Sequence, residues 1–236
     1  MIGSFSRPRF YGASAVATLA LMLLGFGGDP PRAAASLLTP GLSDPPDIFT
    51  LSALTLVAST SGSLNSATFT ANYVDNVYRD PANVFAAGDL DFVIRVQDTG
   101  AVVPFSGDIE HVTNASYTGF ATDVGYNLTS LPGLTSGTAM PFTVDRSVGG
   151  DVISWDFVNA GGFDTLTPGV TTALLVVETN SPNYSAGLVS AIDGGAAQAG
   201  GYAAAVVPEP GALTLLAVAS CLLCARRPLR AGRPLE

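Results

Sequence analysis

Lysine is absent from the 236 residues, histidine occurs once, and both cysteines, Cys221 and Cys224, lie near the C-terminus. Each scarcity removes a class of chemistry. Without lysine there is no P-loop lysine for a nucleotide phosphate and no amine for a Schiff base. One histidine and two cysteines in one apolar stretch do not build a His/Cys zinc site. Two cysteines are too few for a disulfide-stapled mini-domain. Charged residues make up 12% of the chain, and the net charge of −9 offers no basic face to nucleic acid. The apolar fraction of 47% excludes an acidic disordered chain. No cofactor and no metal site is expected.

What charge there is falls unevenly. Arg7, Arg9 and Arg32 stand at one end, and Arg226, Arg227, Arg230 and Arg233 at the other. Between Ser36 and Ala205 only Arg79, Arg95 and Arg146 face sixteen Asp and Glu, a formal charge of −13. Arg7 and Arg9 supply a positive n-region, Ala13 to Phe26 an apolar stretch, and Ala33-Ala34-Ala35 a small-residue site. Residues 1–35 therefore read as a secretory signal peptide cut after Ala35, with Ala33 and Ala35 as the cleavage residues. Gly27, Gly28, Pro30 and Pro31 break a helix soon after the apolar run, which favours cleavage over an uncleaved anchor. At the other end, Ala212 to Ala225 carries no charge. Fourteen residues make about 21 Å of helix, short of a hydrocarbon core of about 30 Å. Snorkelling arginines and a thinned bilayer allow one short transmembrane helix to insert in the inner membrane. The basic cluster after it predicts a cytoplasmic C-terminus, with the acidic middle outside.

The tail reads Pro208-Glu209-Pro210, then the apolar run 212–225, then Arg226, Arg227 and Arg230. In that order it resembles the PEP-CTERM sorting signal of Gram-negative bacteria, over about 30 residues. The tail after Arg227 is longer than is usual for that signal, and the helix holds Cys221 and Cys224. The resemblance implies an exosortase as partner, which would recognise residues 207–236 and process the chain near the tripeptide. It also implies association with the cell envelope, exopolysaccharide and biofilm. Cys221-x-x-Cys224 reads as apolar filling within the helix rather than as a redox pair.

The middle reads as all-β, an antiparallel β-sandwich of jelly-roll or Ig-like kind. Alternation is clear in Ser66–Tyr73 (Ala67, Phe69, Ala71, Tyr73) and in Asp89–Gln97 (Leu90, Phe92, Ile94, Val96). A third run has Phe120, Val124, Tyr126 and Leu128 on one face, with Asp123 and Asn127 across from them. Ile153, Trp155 and Phe157 share a face of Asp151–Val158. Ala173–Val177 is apolar throughout and reads as a central buried strand. Tyr184, Ala186, Leu188 and Ile192 mark a last strand. Turn signals such as Asp98-Thr99-Gly100, Leu131-Pro132-Gly133 and Gly149-Gly150 separate these runs. The expected organisation is an extended leader at 36–47, a sandwich ectodomain at 48–193 and a Gly/Ala-rich linker at 194–206.

Candidate chemistry is sparse. His111 could form a hydrolase triad with Ser106 or Ser116 and Asp108, but no G-x-S-x-G elbow places a nucleophile, and a surface position is the expectation. Asp89 with Asp91, and Asp108 with Glu110, share a strand face two residues apart, a spacing open to calcium or to a glycosidase pair. A solvated face is the default for both. Trp155, Tyr73, Tyr78, Tyr117, Tyr126 and Tyr184 raise sugar stacking, with Trp155 expected in the core. Asp193-Gly194-Gly195 reads as a turn, and the sequons at Asn114, Asn127 and Asn183 as incidental. The expectation is an exported, non-enzymatic structural protein of the envelope or extracellular matrix. Its alternatives are a carbohydrate-binding or adhesive module of the exopolysaccharide and, less favoured, a secreted glycosidase.

Overall fold

The computed structural model describes residues 37–101, 107–162 and 166–206, and among them the regular elements are all strands. The first sheet runs β2 (Asp47–Ile48), β7 (Thr122–Asn127), β10 (Leu174–Thr179), β5 (Leu90–Ala101), β4 (Phe69–Arg79), β3 (Thr55–Asn65). The second runs β1 (Ser43–Asp44), β8 (Thr143–Arg146), β9 (Val152–Asp156), β6 (His111–Ala115), β11 (Asn183–Asp193), β12 (Gly195–Ala205). Neighbours are antiparallel except β2 and β7, which are parallel. The all-β reading therefore holds, with two sheets. The signal peptide, with Ala33 and Ala35, lies outside the described residues, and so does the tail at 207–236. Among the described residues no helix is long and apolar enough to cross a membrane.

The two sheets share one apolar core. Val77, Phe92, Ile94, Leu175 and Val177 come from the first sheet, and Val112, Ile153, Trp155, Val189 and Ala191 from the second. Period-two alternation sends Leu90, Phe92, Ile94 and Val96 of β5 inward, as the sequence predicts. Trp155 is fully buried, and its Nε1–H donates to Gly125 O at 3.0 Å, which ties β9 to β7 across the core. Strand β10 sits between β7 and β5 and is buried along its whole length, as expected of Ala173–Val177. A second cluster explains this: Leu54, Leu131 and Leu134 lie over Tyr78, Val93, Leu174 and Val176, with Phe49 and Leu51 at the margin. Two loops thus roof the outer face of the first sheet. The Tyr78 hydroxyl fixes the roof by donating to Pro132 O at 2.7 Å.

Several expectations change. Residues 195–205 form β12, paired with β11 along its full length, rather than a linker. Their small side chains reflect close packing: a Cβ at Gly201 would stand 2.5 Å from Asp75 Oδ2 and 2.7 Å from Val189 Cγ2. The stretch 36–47 holds β1 and the start of β2, and Leu38 within it is 2% exposed. In β11 the faces are reversed. Leu188 and Tyr184 point outward, and Gly187, Val189 and Ala191 point inward, because this part of the core admits only small groups. The first alternating run begins at Phe69, since Ser66 Oγ accepts from the Thr68 and Phe69 amides and closes a turn there. Gly194, at φ +52°, makes the tight β11–β12 turn that Asp193-Gly194-Gly195 predicts. Asp123 and Asn127, across from that face, are buried, and Leu128, expected on it, is exposed.

Arg146, on β8, is buried and spends its guanidinium on neutral oxygens. Nε and Nη2 donate to Gly150 O, Nη1 to Leu38 O and Thr122 Oγ1, and Nη2 also to Tyr117 O and Phe120 O. One side chain thereby joins the segment before β1, the approach to β7 and the β8–β9 turn. Lysine has a single ammonium and no fork, so Arg146→Lys strands several of these acceptors. Urea denaturation of Arg146→Lys is expected to show a stability loss of about 2–4 kcal/mol. A loss below about 0.5 kcal/mol, the size of an ordinary surface change, would contradict this role.

Candidate functional site

Three groups of polar side chains stand out. The first lies between the sheets. Asp75 on β4 is fully buried, and its Oδ2 accepts from Tyr202 N of β12 at 2.6 Å. Beside it the Tyr73 hydroxyl donates to Gly200 O at 2.5 Å, and Asn114 Nδ2 donates to Tyr202 O at 3.3 Å. Asp75 Oδ1, Asn114 Oδ1 and the Tyr117 hydroxyl are buried without hydrogen-bond partners. Burial pushes the Asp75 carboxyl up to about 7, partly offset by the Tyr202 amide. It also holds the Tyr117 phenol well above its ordinary value, with the Asp75 charge adding to the effect.

The second group is a row of carboxylates on the first sheet, beside the β4–β5 loop. Register places Asp123 of β7 opposite Glu178 of β10, and Glu178 opposite Asp91 of β5. Asp80, just past β4, completes a trio: carboxylate oxygens of Asp80, Asp91 and Glu178 lie within 4.8 Å of one another, and all three residues are buried. The β4–β5 loop wraps this trio. Asp80 Oδ1 accepts from Ala82 N at 2.7 Å, Asp91 Oδ1 from Asn83 Nδ2 at 2.8 Å, and Glu178 Oε2 from Val84 N at 3.2 Å. Asp123 is pushed up to about 7, by burial first and then by the charges of Asp47 and Glu178. These oxygens are the strongest set among the described residues for holding a hard cation.

The third is a surface groove of about 660 Å³ where β11 and β12 meet the β6–β7 and β8–β9 connections. Phe120, Tyr184, Ser116, Thr118 and Asp151 line it, and Thr118 Oγ1 donates to Asp151 Oδ1 at 3.1 Å. Tyr184 stacks edge-on against Tyr202, with ring centroids 5.3 Å apart.

The residues singled out in the sequence fare differently. Pro208, Glu209, Pro210, Arg226, Arg227 and Arg230 lie outside the described residues, as does Ser106. His111 is half-buried at the start of β6, 3.9 Å from an Asp156 oxygen. Ser116 is five residues further along an extended chain, about 17 Å away, so these two do not form a triad. Asp91 is buried rather than solvated, and it joins Asp80 and Glu178 rather than Asp89. Asp108 and Glu110 stay partly exposed. Tyr73, Tyr78, Tyr117 and Tyr126 are buried, which leaves Tyr184 as the exposed ring of the tyrosines considered. Glu178 had one sequence signal: a carboxylate directly following an all-apolar run.

Comparison with family models, with curated proteins and with solved structures yields no match for this chain.

The Asp75 carboxyl gives a testable pH dependence. Its folded value, about 7, lies above its ordinary 3.8, so the folded chain holds a proton that the unfolded chain releases. This contribution is fully present below about pH 4 and is lost as pH rises through about 7. Asp75→Asn, which stays neutral, is expected to flatten the stability profile between pH 4 and 8 by an amount on the order of a few kcal/mol. Parallel profiles for the variant and the unmodified chain would show that Asp75 does not carry this proton.

Proposed function

We propose that the chain is an exported, non-enzymatic structural protein of the Gram-negative envelope or extracellular matrix, sorted and processed by an exosortase. The observation that carries this is the order of Pro208-Glu209-Pro210, the uncharged run 212–225 and Arg226, Arg227 and Arg230, behind a secretory signal at 1–35. In support, β12 ends at Ala205, so the tripeptide begins three residues beyond the last strand of the domain. We read the two sheets as a β-sandwich of jelly-roll or Ig-like kind, lying outside the inner membrane. A domain without cysteine holds together there by packing and hydrogen bonds alone. Deletion of 207–236 is expected to abolish processing near the tripeptide and surface retention, read by intact mass and cell fractionation. Unchanged mass processing and retention would overturn the proposal.

One observation favours a second reading, a non-catalytic carbohydrate-binding module. The groove presents aromatic rings beside hydroxyls and a carboxylate, the mixture that stacks on and hydrogen-bonds to a pyranose. Asp151 is the one carboxylate among its lining residues, whereas a glycosidase needs two facing a sugar. On this reading Tyr184→Ala weakens binding of the producing cell's own exopolysaccharide about tenfold or more, in a pull-down titration. Equal binding by the variant counts against it.

A further inference from the structure

We infer that the outer edge of β3 pairs antiparallel with the β3 edge of a second copy of this chain, joining the first sheets of the two copies into one. The two sheets end on β2, β3, β1 and β12. β1 and β2 are two residues long, and each carries an aspartate, Asp44 and Asp47. Short, charged edges deter strand addition. β12 is long, but the outward groups at its middle are taken from within. Gly200 O accepts from the Tyr73 hydroxyl, Tyr202 N donates to Asp75, and Tyr202 O accepts from Asn114 Nδ2.

β3 is different, and two bonds show which of its backbone groups face outward. Ser66 N donates to Phe69 O at 3.0 Å. Antiparallel rungs alternate, so Leu64, Gly62, Thr60 and Ala58 carry the rungs to β4. Ser59, Ser61, Ser63 and Asn65, the residues between and beside them, turn their N–H and C=O away from β4. Ser59 O fits this phase, since it accepts from the Tyr202 hydroxyl of β12 at 3.3 Å. Apart from that carbonyl, the outward backbone groups of these four residues meet no partner among the described residues. All four residues are exposed. Such a row of open donors and acceptors is a template for another strand.

The chemistry of this edge selects a second copy. β3 has neither a charge nor a proline in 11 residues, within a domain of formal charge −13. Its register shift lies between Leu56 and Ala58, outside the open stretch. Two acidic domains that meet elsewhere bring carboxylates together, whereas two β3 edges do not. The open residues are also self-complementary. Antiparallel pairing about Gly62 sets Ser59 against Asn65 and Ser61 against Ser63, so all four are bonded in both copies. The facing side chains are small and uncharged, which lets the backbones close to about 4.8 Å. A contact of one strand pair is small, so the dimer is a weak one. The edge is open whatever processes the tail, and the inference stands apart from the sorting signal.

The test uses the full chain in detergent, followed by analytical ultracentrifugation up to about 100 µM. The unmodified chain is expected to pass from monomer to dimer as its concentration rises. Ser61→Glu combined with Ser63→Glu sets like charges opposite each other across the pair. Its dissociation constant is expected to rise about tenfold or more. Ser61→Lys combined with Ser63→Lys acts the same way alone, and an equimolar mixture of the two double variants is expected to recover dimers. Both positions are exposed, so melting temperatures stay close to that of the unmodified chain. Should the double variants fail to fold, Ser61→Pro removes one outward N–H and no rung to β4, and is read in the same way. Three results overturn the inference. One is an unmodified chain that stays monomeric at about 100 µM. Another is a dimer that the folded β3 variants leave unchanged, which puts the contact on the tail or another face. The third is a mixture of Glu and Lys variants that stays monomeric.

Discussion

Strand β10 meets water on neither side. Leu175 and Val177 enter the core shared with the second sheet, and Leu174 and Val176 lie beneath the loops that carry Leu54, Leu131 and Leu134. A strand buried on both faces has no solvated side on which to place a charge. Glu178 nevertheless sits on it, next to Asp91 and Asp123 on the strands to either side. At this end of the strand the β4–β5 loop closes over the carboxylates, with donors from Ala82, Asn83 and Val84 meeting Asp80, Asp91 and Glu178.

Cohesion elsewhere follows from the same shortage of stapling residues. With no cysteine and only three arginines in the domain, the sheets are tied by hydrogen bonds from a few well-placed polar groups. Trp155 reaches Gly125 O, Tyr73 reaches Gly200 O, and Asp75 takes the Tyr202 amide. Gly201 makes the last contact feasible, since any side chain there would occupy the place of the carboxylate. Arg146 serves a comparable purpose at the other end of the second sheet, where five neutral oxygens gather around one buried cation. Burial without a paired carboxylate pulls the affinity of that guanidinium for its proton downward, and the oxygens offset this by hydrogen bonding.

Much of the fold was legible because alternation and burial agree. In β9 and in β5 as far as Val96 every second residue is large and apolar, and these residues face the core. In β10 the unbroken apolar run marked a strand covered on both sides. Strand β12 was hidden, since Gly and Ala there answer to a close approach of backbones that composition alone mimics with a linker. In β11 the inward face is carried by Gly187, Val189 and Ala191, and the bulkier Tyr184 and Leu188 drew attention to the wrong side. The carboxylate trio was legible only in part. Local spacing pairs Asp91 with Asp89, whereas its neighbours in space, Asp80 and Glu178, are brought to it by a loop and by strand pairing that no local spacing encodes.

The sorting signal proposed for the tail and the hydrogen bonds that tie the domain together address different needs, delivery and endurance. A domain exported without disulfides depends on buried polar groups such as Arg146 and Asp75 to hold its elements together. The most direct measurement is the intact mass of the protein recovered from the cell that produces it. The account predicts a mass that lacks residues 1–35 and ends near Pro208. A mass that retains both residues 1–35 and residues 207–236 would contradict it.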